Sequence, residues 1–184
     1  AGADTHSSGL MSMSETLPIL VCGYFEREAT EAAKELPYVR IVPFAPTCGY
    51  PKDSDARARD DVQSKCSSCR ADVLAGVACL GGLEARLEGG PSRVHRFSQC
   101  FEMVAGSALA EALIKEGAYL VTPGWLASWP RHLSQLGFDR ETAHEHFREF
   151  ASRLVLLDTG VEPSSRARLD ELAEYLGLPA ATIP

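Results

Sequence analysis

Four cysteines in this chain each follow an apolar run and precede or flank a turn: Cys22 in LVCGY (20–24), Cys48 in APTCGY (45–50), Cys79 in VACLGG (77–82) and Cys100 in RFSQCF (96–101). Successive members are 26, 31 and 21 residues apart, about one strand-plus-helix unit each time. In a parallel sheet every strand ends on the same edge, and ligands bind in the crevice beyond those ends. The spacing hides the four thiols from any short motif, yet such a topology predicts that they converge. Four thiolates suit an iron–sulfur cluster or zinc. Ligands on well-separated loops favour a cluster, of the four-iron four-sulfur type; a structural zinc more often uses paired ligands at close spacing. Free cysteine also fills hydrophobic cores, so each thiol taken alone has a second reading as packing.

Glycines accompany the thiols. Gly23, Gly49, Gly81 and Gly82 are expected to allow left-handed turns and a close approach of backbone to a bulky group. Cys66 and Cys69 form CSSC. One such pair is half of a zinc site and lacks a second close pair. A thioredoxin-type pair belongs at a strand-to-helix turn, whereas this one lies in a polar segment, and it reads as incidental. His95, five residues before Cys100, is a candidate ligand or proton donor at the same edge. His144 and His146, two apart on a helix, point to different faces and do not share a metal. His132 has no partner in sequence. Asp158-Thr159-Gly160 matches the aspartic-protease triplet, but that chemistry needs two carboxylates sharing a proton and there is one copy. It reads instead as a strand-end turn facing the cysteine crevice. Thr122 and Trp125 form a similar junction, and Trp125 and Trp129, four apart, are expected on one helix face. There is no phosphate-cradling glycine motif.

The elements that must position these residues alternate. Strands are expected at 17–24, 39–46, 72–80, 93–97, 118–122 and 153–160. Helices are expected at 25–36, 100–117 (Ser107 as an internal N-cap), 124–137 with an interruption at Pro130, 140–153 capped by Asp139, and 164–178 stopped by Gly177. Residues 51–70 read as a long loop or an exposed helix. The pattern predicts an α/β fold: a doubly wound, mostly parallel sheet of about six strands with helices on both faces. Residues 1–14 read as a disordered tail or cloning remnant, and 15–184 as a single α/β metal-binding domain.

A formal charge of −7 and a sequence pI near 5.2 argue against nucleic-acid binding and against docking on anionic lipid. No apolar run approaches the roughly 20 residues of a membrane span, and no secretory signal is present. The default setting is cytoplasmic and reducing, where cysteines serve as ligands or reactive thiols rather than disulfides.

VCGYF, VACLGG, HRFSQCFEMVAGSAL, EGAYLVTPGWLASW and FDRETAHEHFREFASRLVLLDTG together resemble a family of bacterial and archaeal proteins, domain of unknown function 1638. The Q-C-F-x-x-x-A-G and Y-L-x-T-P-G-W-L segments are the most specific parts of a likeness that spans most of 17–184. The resemblance implies shared cysteines at Cys22, Cys79 and Cys100, with Cys48 in the closer versions; Cys66 and Cys69 are outside it. It also implies two settings: the front of sensory proteins such as histidine kinases, and the neighbourhood of corrinoid-dependent methyltransferases. It carries no assigned activity.

Three functions are therefore expected to compete. The first is a sensory or regulatory module holding an iron–sulfur cluster or other metal, responding to redox state or a small ligand and acting on an output domain or signalling partner. The second is an enzyme or accessory protein of corrinoid or methyl-group metabolism, with one metal position open. The third is a cofactor-free thiol-redox protein. No kinase or cyclase motif is present, so output lies elsewhere.

Overall fold

The computed structural model describes residues 16–48, 53–67 and 70–184. The expected tail at 1–14, Gly49 and Cys69 lie outside the described residues. Two wholly parallel sheets carry the fold. The first contains β1 (Leu17–Cys22), β2 (Val39–Phe44), β3 (Asp72–Gly76) and β4 (Arg93–Phe97) in the order β2-β1-β3-β4. The second contains β5 (Ala118–Val121), β6 (Arg153–Leu157) and β7 (Ala180–Ile183) in that order. The α/β class and the parallel strands match expectation. The strands divide between two sheets, however, and β7 adds to the six expected, because β5 pairs only with β6 and not with β4.

In the first sheet the chain leaves β1 outward to β2, then returns to place β3 on β1's other side. This reversal opens a crevice at the carboxyl ends. Leu20, Val73 and Ala75 turn one face of the sheet toward α2 (Asp53–Ser67) and α3 (Leu83–Leu87), with Phe44, Leu80 and Leu83 completing that core. Val21 turns the other way, toward Phe25, α1 (Glu26–Ala32) and α4 (Glu102–Ala105). The polar stretch read as a loop or exposed helix is α2. Ala58, Val62 and Cys66 recur at four-residue spacing and bury one stripe of it, with Cys66 only 2% exposed.

Other boundaries differ for local reasons. Gly106, with φ 74°, splits the expected helix at 100–117 into α4 and α5 (Ser107–Lys115), and Gly106 rather than Ser107 takes the N-cap position. The expected helix at 124–137 breaks into α6 (Pro123–Leu126) and α7 (Trp129–Gln135). Trp125 and Trp129 therefore do not share a face: Trp129 is buried against Tyr175, while Trp125 turns toward the cysteines. Asp139 caps α8 (Arg140–Phe150), its Oδ1 accepting from Thr142 N–H at 2.8 Å, and Gly177 ends α9 (Ser165–Leu176) at φ 62°. Leu154, Leu156, Leu169, Leu172 and Phe147 form the core of this half. Among the described residues no helix is long and apolar enough to cross a membrane.

The two halves meet tightly at one point. α6 presses on the 3-10 turn Gly23–Phe25, and a Cβ on Gly124 would collide with the Tyr24 carbonyl oxygen. Tyr24 continues across the junction, with its hydroxyl hydrogen-bonded to His132 Nδ1 at 3.1 Å and its ring edge-on to the imidazole at 5.1 Å.

Candidate functional site

The strand registers place the four cysteines at one edge. Cys22 ends β1 and lies opposite Phe44, the end of β2; Cys48 follows four residues later. Gly76 and Phe97 are paired at the ends of β3 and β4, and Cys79 and Cys100 each lie three residues beyond. Adjacent parallel strands ending level thus bring together loops that are 21 to 31 residues apart in sequence. All five described cysteines are free thiols.

Cys48, Cys79 and Cys100 line a cavity of about 220 Å³. Cys22 does not line it; together with Cys100 it packs against the cluster of Val21, Tyr24 and Phe25. The opposite wall comes from the second sheet: Tyr119 of β5, then Thr122 and Trp125 at the start of α6. The Thr122 hydroxyl accepts from Trp125 N–H at 3.5 Å and caps α6, which fixes the junction. Trp125 stands edge-on to Tyr119 at 5.9 Å and leans on His132 at 5.1 Å.

The Cys79 turn is held by charge. Asp55 Oδ1 accepts from Leu80 N–H at 2.7 Å, and the Arg96 guanidinium donates to the carbonyls of Gly76 (3.0 Å), Leu80 (3.1 Å) and Cys79. Glu84 anchors Arg96 from the other side. This clamp keeps Leu80 in the left-handed region at φ 54° although it is fully buried, a conformation that costs a side-chain-bearing residue about 1–2 kcal/mol.

The sulfurs feel one another. The Cys48 thiol hydrogen-bonds Cys79; that bond, the Thr47 side chain and the nearby Arg96 hold Cys79 well below the ordinary thiol range, at about 6. Donating that proton raises Cys48, and desolvation of the sulfur by the neighbouring groups adds to it although the residue as a whole is exposed. Burial, with smaller contributions from Cys100 and Cys79, pushes Cys22 up to about 12, and burial with Cys79 pushes Cys100 up to about 11. Tyr119 is raised to about 12 by burial, then by Cys48 and Cys100. Four thiols this close resist ionising together unless a cation compensates them. As they stand, no group of three or more His, Cys, Asp or Glu among the described residues is drawn close enough to hold a metal ion.

The other sequence candidates divide. Thr122 and Trp125 line the cavity. Gly23 does not adopt a left-handed turn, and a Cβ there would make ordinary contact with the end of β2, 3.4 Å from Phe44 O and 3.5 Å from Pro46. Gly82 is left-handed at φ 76°, but Gly81 is not, and neither has an atom within 4 Å of a would-be Cβ. Gly76, at the end of β3, lies beside Cys100, and a Cβ there would sit in ordinary contact, 3.6 Å from Cys100 N. His95 sits mid-strand in β4, paired in register with Leu74, exposed and 3.6 Å from Asp72. It is placed away from the carboxyl edge. Thr159 does not face this cavity; it lines another, beside Glu28. Cys66 is core. Sequence reading missed Tyr24, Tyr119 and His132. The adjacency of Tyr24 to Cys22 was the available signal; nothing local marks the other two.

The family profile described as "Protein of unknown function (DUF1638)" matches residues 59–184. No curated protein and no solved structure matches the chain.

Proposed function

The chain belongs to the DUF1638 family, and on that premise we propose that it is a regulatory module that binds an iron–sulfur cluster through Cys22, Cys48, Cys79 and Cys100 and responds to redox state or a small ligand. One observation carries this reading: the four adjacent parallel strands of one sheet each deliver a cysteine to the same edge, close enough for the sulfurs to perturb one another. The donor set fits. All four are thiols, the space is partly walled off by aromatic side chains, and a compensating metal charge is what neighbouring thiolates require. A lone zinc needs every sulfur at about 2.3 Å from one point. A cluster spreads its ligands over several irons, so the looser gathering here favours the cluster.

When bound, such a cluster supplies a one-electron couple and metal–sulfur bonds sensitive to oxidation. The chain's own part is positional. Arg96 and Asp55 hold the Cys79 turn, so Cys79 is presented ready and already partly ionised. Tyr119, Trp125 and Phe101 limit water. Cys48 is different: it is exposed and lies in the connection that follows β2. That segment is the one to rearrange when the thiol is released, and its surface is the output a partner would read.

The exposure of Cys48 also favours a second reading, a three-thiolate site with Cys22, Cys79 and Cys100 that keeps one metal position open, as catalytic sites do. The test is anaerobic purification followed by iron and sulfide analysis and a visible spectrum. Stoichiometric iron and sulfide, lost in both Cys79→Ala and Cys48→Ala, supports the four-thiolate module. Iron lost in Cys79→Ala but kept in Cys48→Ala supports the open site. Protein free of iron and sulfide after anaerobic reconstitution refutes both.

A further inference from the structure

A second cavity lies on the other side of Phe25, which borders both. Its volume is about 450 Å³, within the range of small-ligand pockets. Its floor is Val21 and Leu74, paired in register on β1 and β3. Its roof is α1, which has no fully buried residue: Ala29 and Ala32 face the sheet but are too short to fill the space. Met103 and Val104 of α4 close one side.

One polar group in this lining is unexplained. Glu28 Oε2 is buried and has no hydrogen-bond partner, while Oε1 accepts from the Thr159 hydroxyl at 3.4 Å. A buried carboxylate oxygen left bare is costly. The nearest basic side chain, Arg27, is engaged by Glu162. The lining contains no lysine or arginine; its other carboxylate, Glu31, is already paired with Lys34 at 2.6 Å, which leaves Glu28 as the charge that faces the cavity. Thr159, whose triplet had no role at the thiol site, orients the carboxylate here.

We propose that this cavity binds a small apolar-bodied organic amine, its ammonium on Glu28 and its hydrocarbon part against Val21, Phe25, Leu74 and Val104. Electrostatic complementarity to the Glu28 carboxylate, in a lining without lysine or arginine, selects a cation, and the apolar floor selects a hydrocarbon body over a hydrated inorganic ion. The site rests on residues distinct from the four thiols, so it stands or falls independently of metal binding.

The test is titration of the isotope-labelled full chain with cyclohexylammonium, cyclohexanol and cyclohexanecarboxylate, followed by NMR. The amine is expected to shift Val21, Leu74, Val104 and Thr159 and to bind at least about tenfold tighter than the alcohol, the ratio one charge-assisted hydrogen bond supplies; the carboxylate should not bind. Glu28→Gln should erase the tenfold preference while melting no lower than the parent, and Ala29→Leu, which fills the space, should abolish binding of both. Equal binding of amine and alcohol, a preference that survives Glu28→Gln, or no binding by any probe overturns the proposal.

Discussion

Replacing Gly124 by alanine should separate the wall of the thiol cavity from its floor. The added Cβ would collide with the Tyr24 carbonyl oxygen and lie 2.7 Å from its carbonyl carbon and 2.9 Å from its Cα. Every one of these atoms is backbone, so no side chain can rotate away. The turn Gly23–Phe25 and α6 must move apart, carrying Trp125 from Tyr24 and loosening the Tyr24–His132 contact. Overpacking in a rigid site costs about 1–3 kcal/mol, occasionally more, and with backbone on both sides the upper end, about 3 kcal/mol, is expected. With a urea m-value of about 2 kcal/mol/M, the unfolding midpoint then falls by about 1.5 M with little change in slope. The control is Gly81→Ala, which meets nothing within 4 Å and needs no left-handed φ; it should change stability by no more than about 0.5 kcal/mol. If the two variants unfold at the same urea concentration, the close approach of the two halves at Gly124 is wrong, and with it the wall assigned to Tyr119 and Trp125.

In metal-free reduced protein, iodoacetamide should label Cys79 before Cys22 and Cys100, with a rate that climbs through about pH 6 rather than about 8.5 as for an ordinary thiol. Mass spectrometry reads the order, and Cys48→Ala should move the Cys79 profile upward by removing the bonding thiol. Arg96→Ala deprives the Gly76, Cys79 and Leu80 carbonyls of a donor. A loss of about 2 kcal/mol is expected, with faster hydrogen exchange in residues 76–80; unchanged exchange there would show that Arg96 does not hold the turn. Burial holds His132 below the ordinary imidazole range, so the unfolded chain takes up its proton first. Its contribution is complete above about pH 6.5 and is lost as pH falls from there toward the folded value. His132→Gln should therefore flatten the stability profile below about pH 6.5 in urea titrations, and an equally steep profile would assign the slope to other groups. Tyr24→Phe should cost about 1 kcal/mol through loss of the hydroxyl bond to His132; no measurable change would show that this bond contributes nothing net.

What the sequence by itself determined is local. Short apolar runs bounded by helix formers, Asp139 and Gly177 act through backbone freedom and capping within a turn or two, and they mark where strands and helices start and stop. Because each strand is followed by a helix, parallel pairing follows, and with it the gathering of Cys22, Cys48, Cys79 and Cys100 at one edge. Tertiary structure decided everything that depends on which surfaces meet. The stripe Ala58–Val62–Cys66 became core only once the first sheet offered a face to cover it. The strands split into two sheets, and α6 docks on the Gly23–Phe25 turn through Gly124, a fit invisible in either segment alone. Tyr24 and His132 meet across 108 residues, and Thr159 turned to Glu28 instead of the thiols. Hydrophobic periodicity and caps act over neighbouring residues, whereas pockets, charge neighbours and buried partners arise from packing between distant segments.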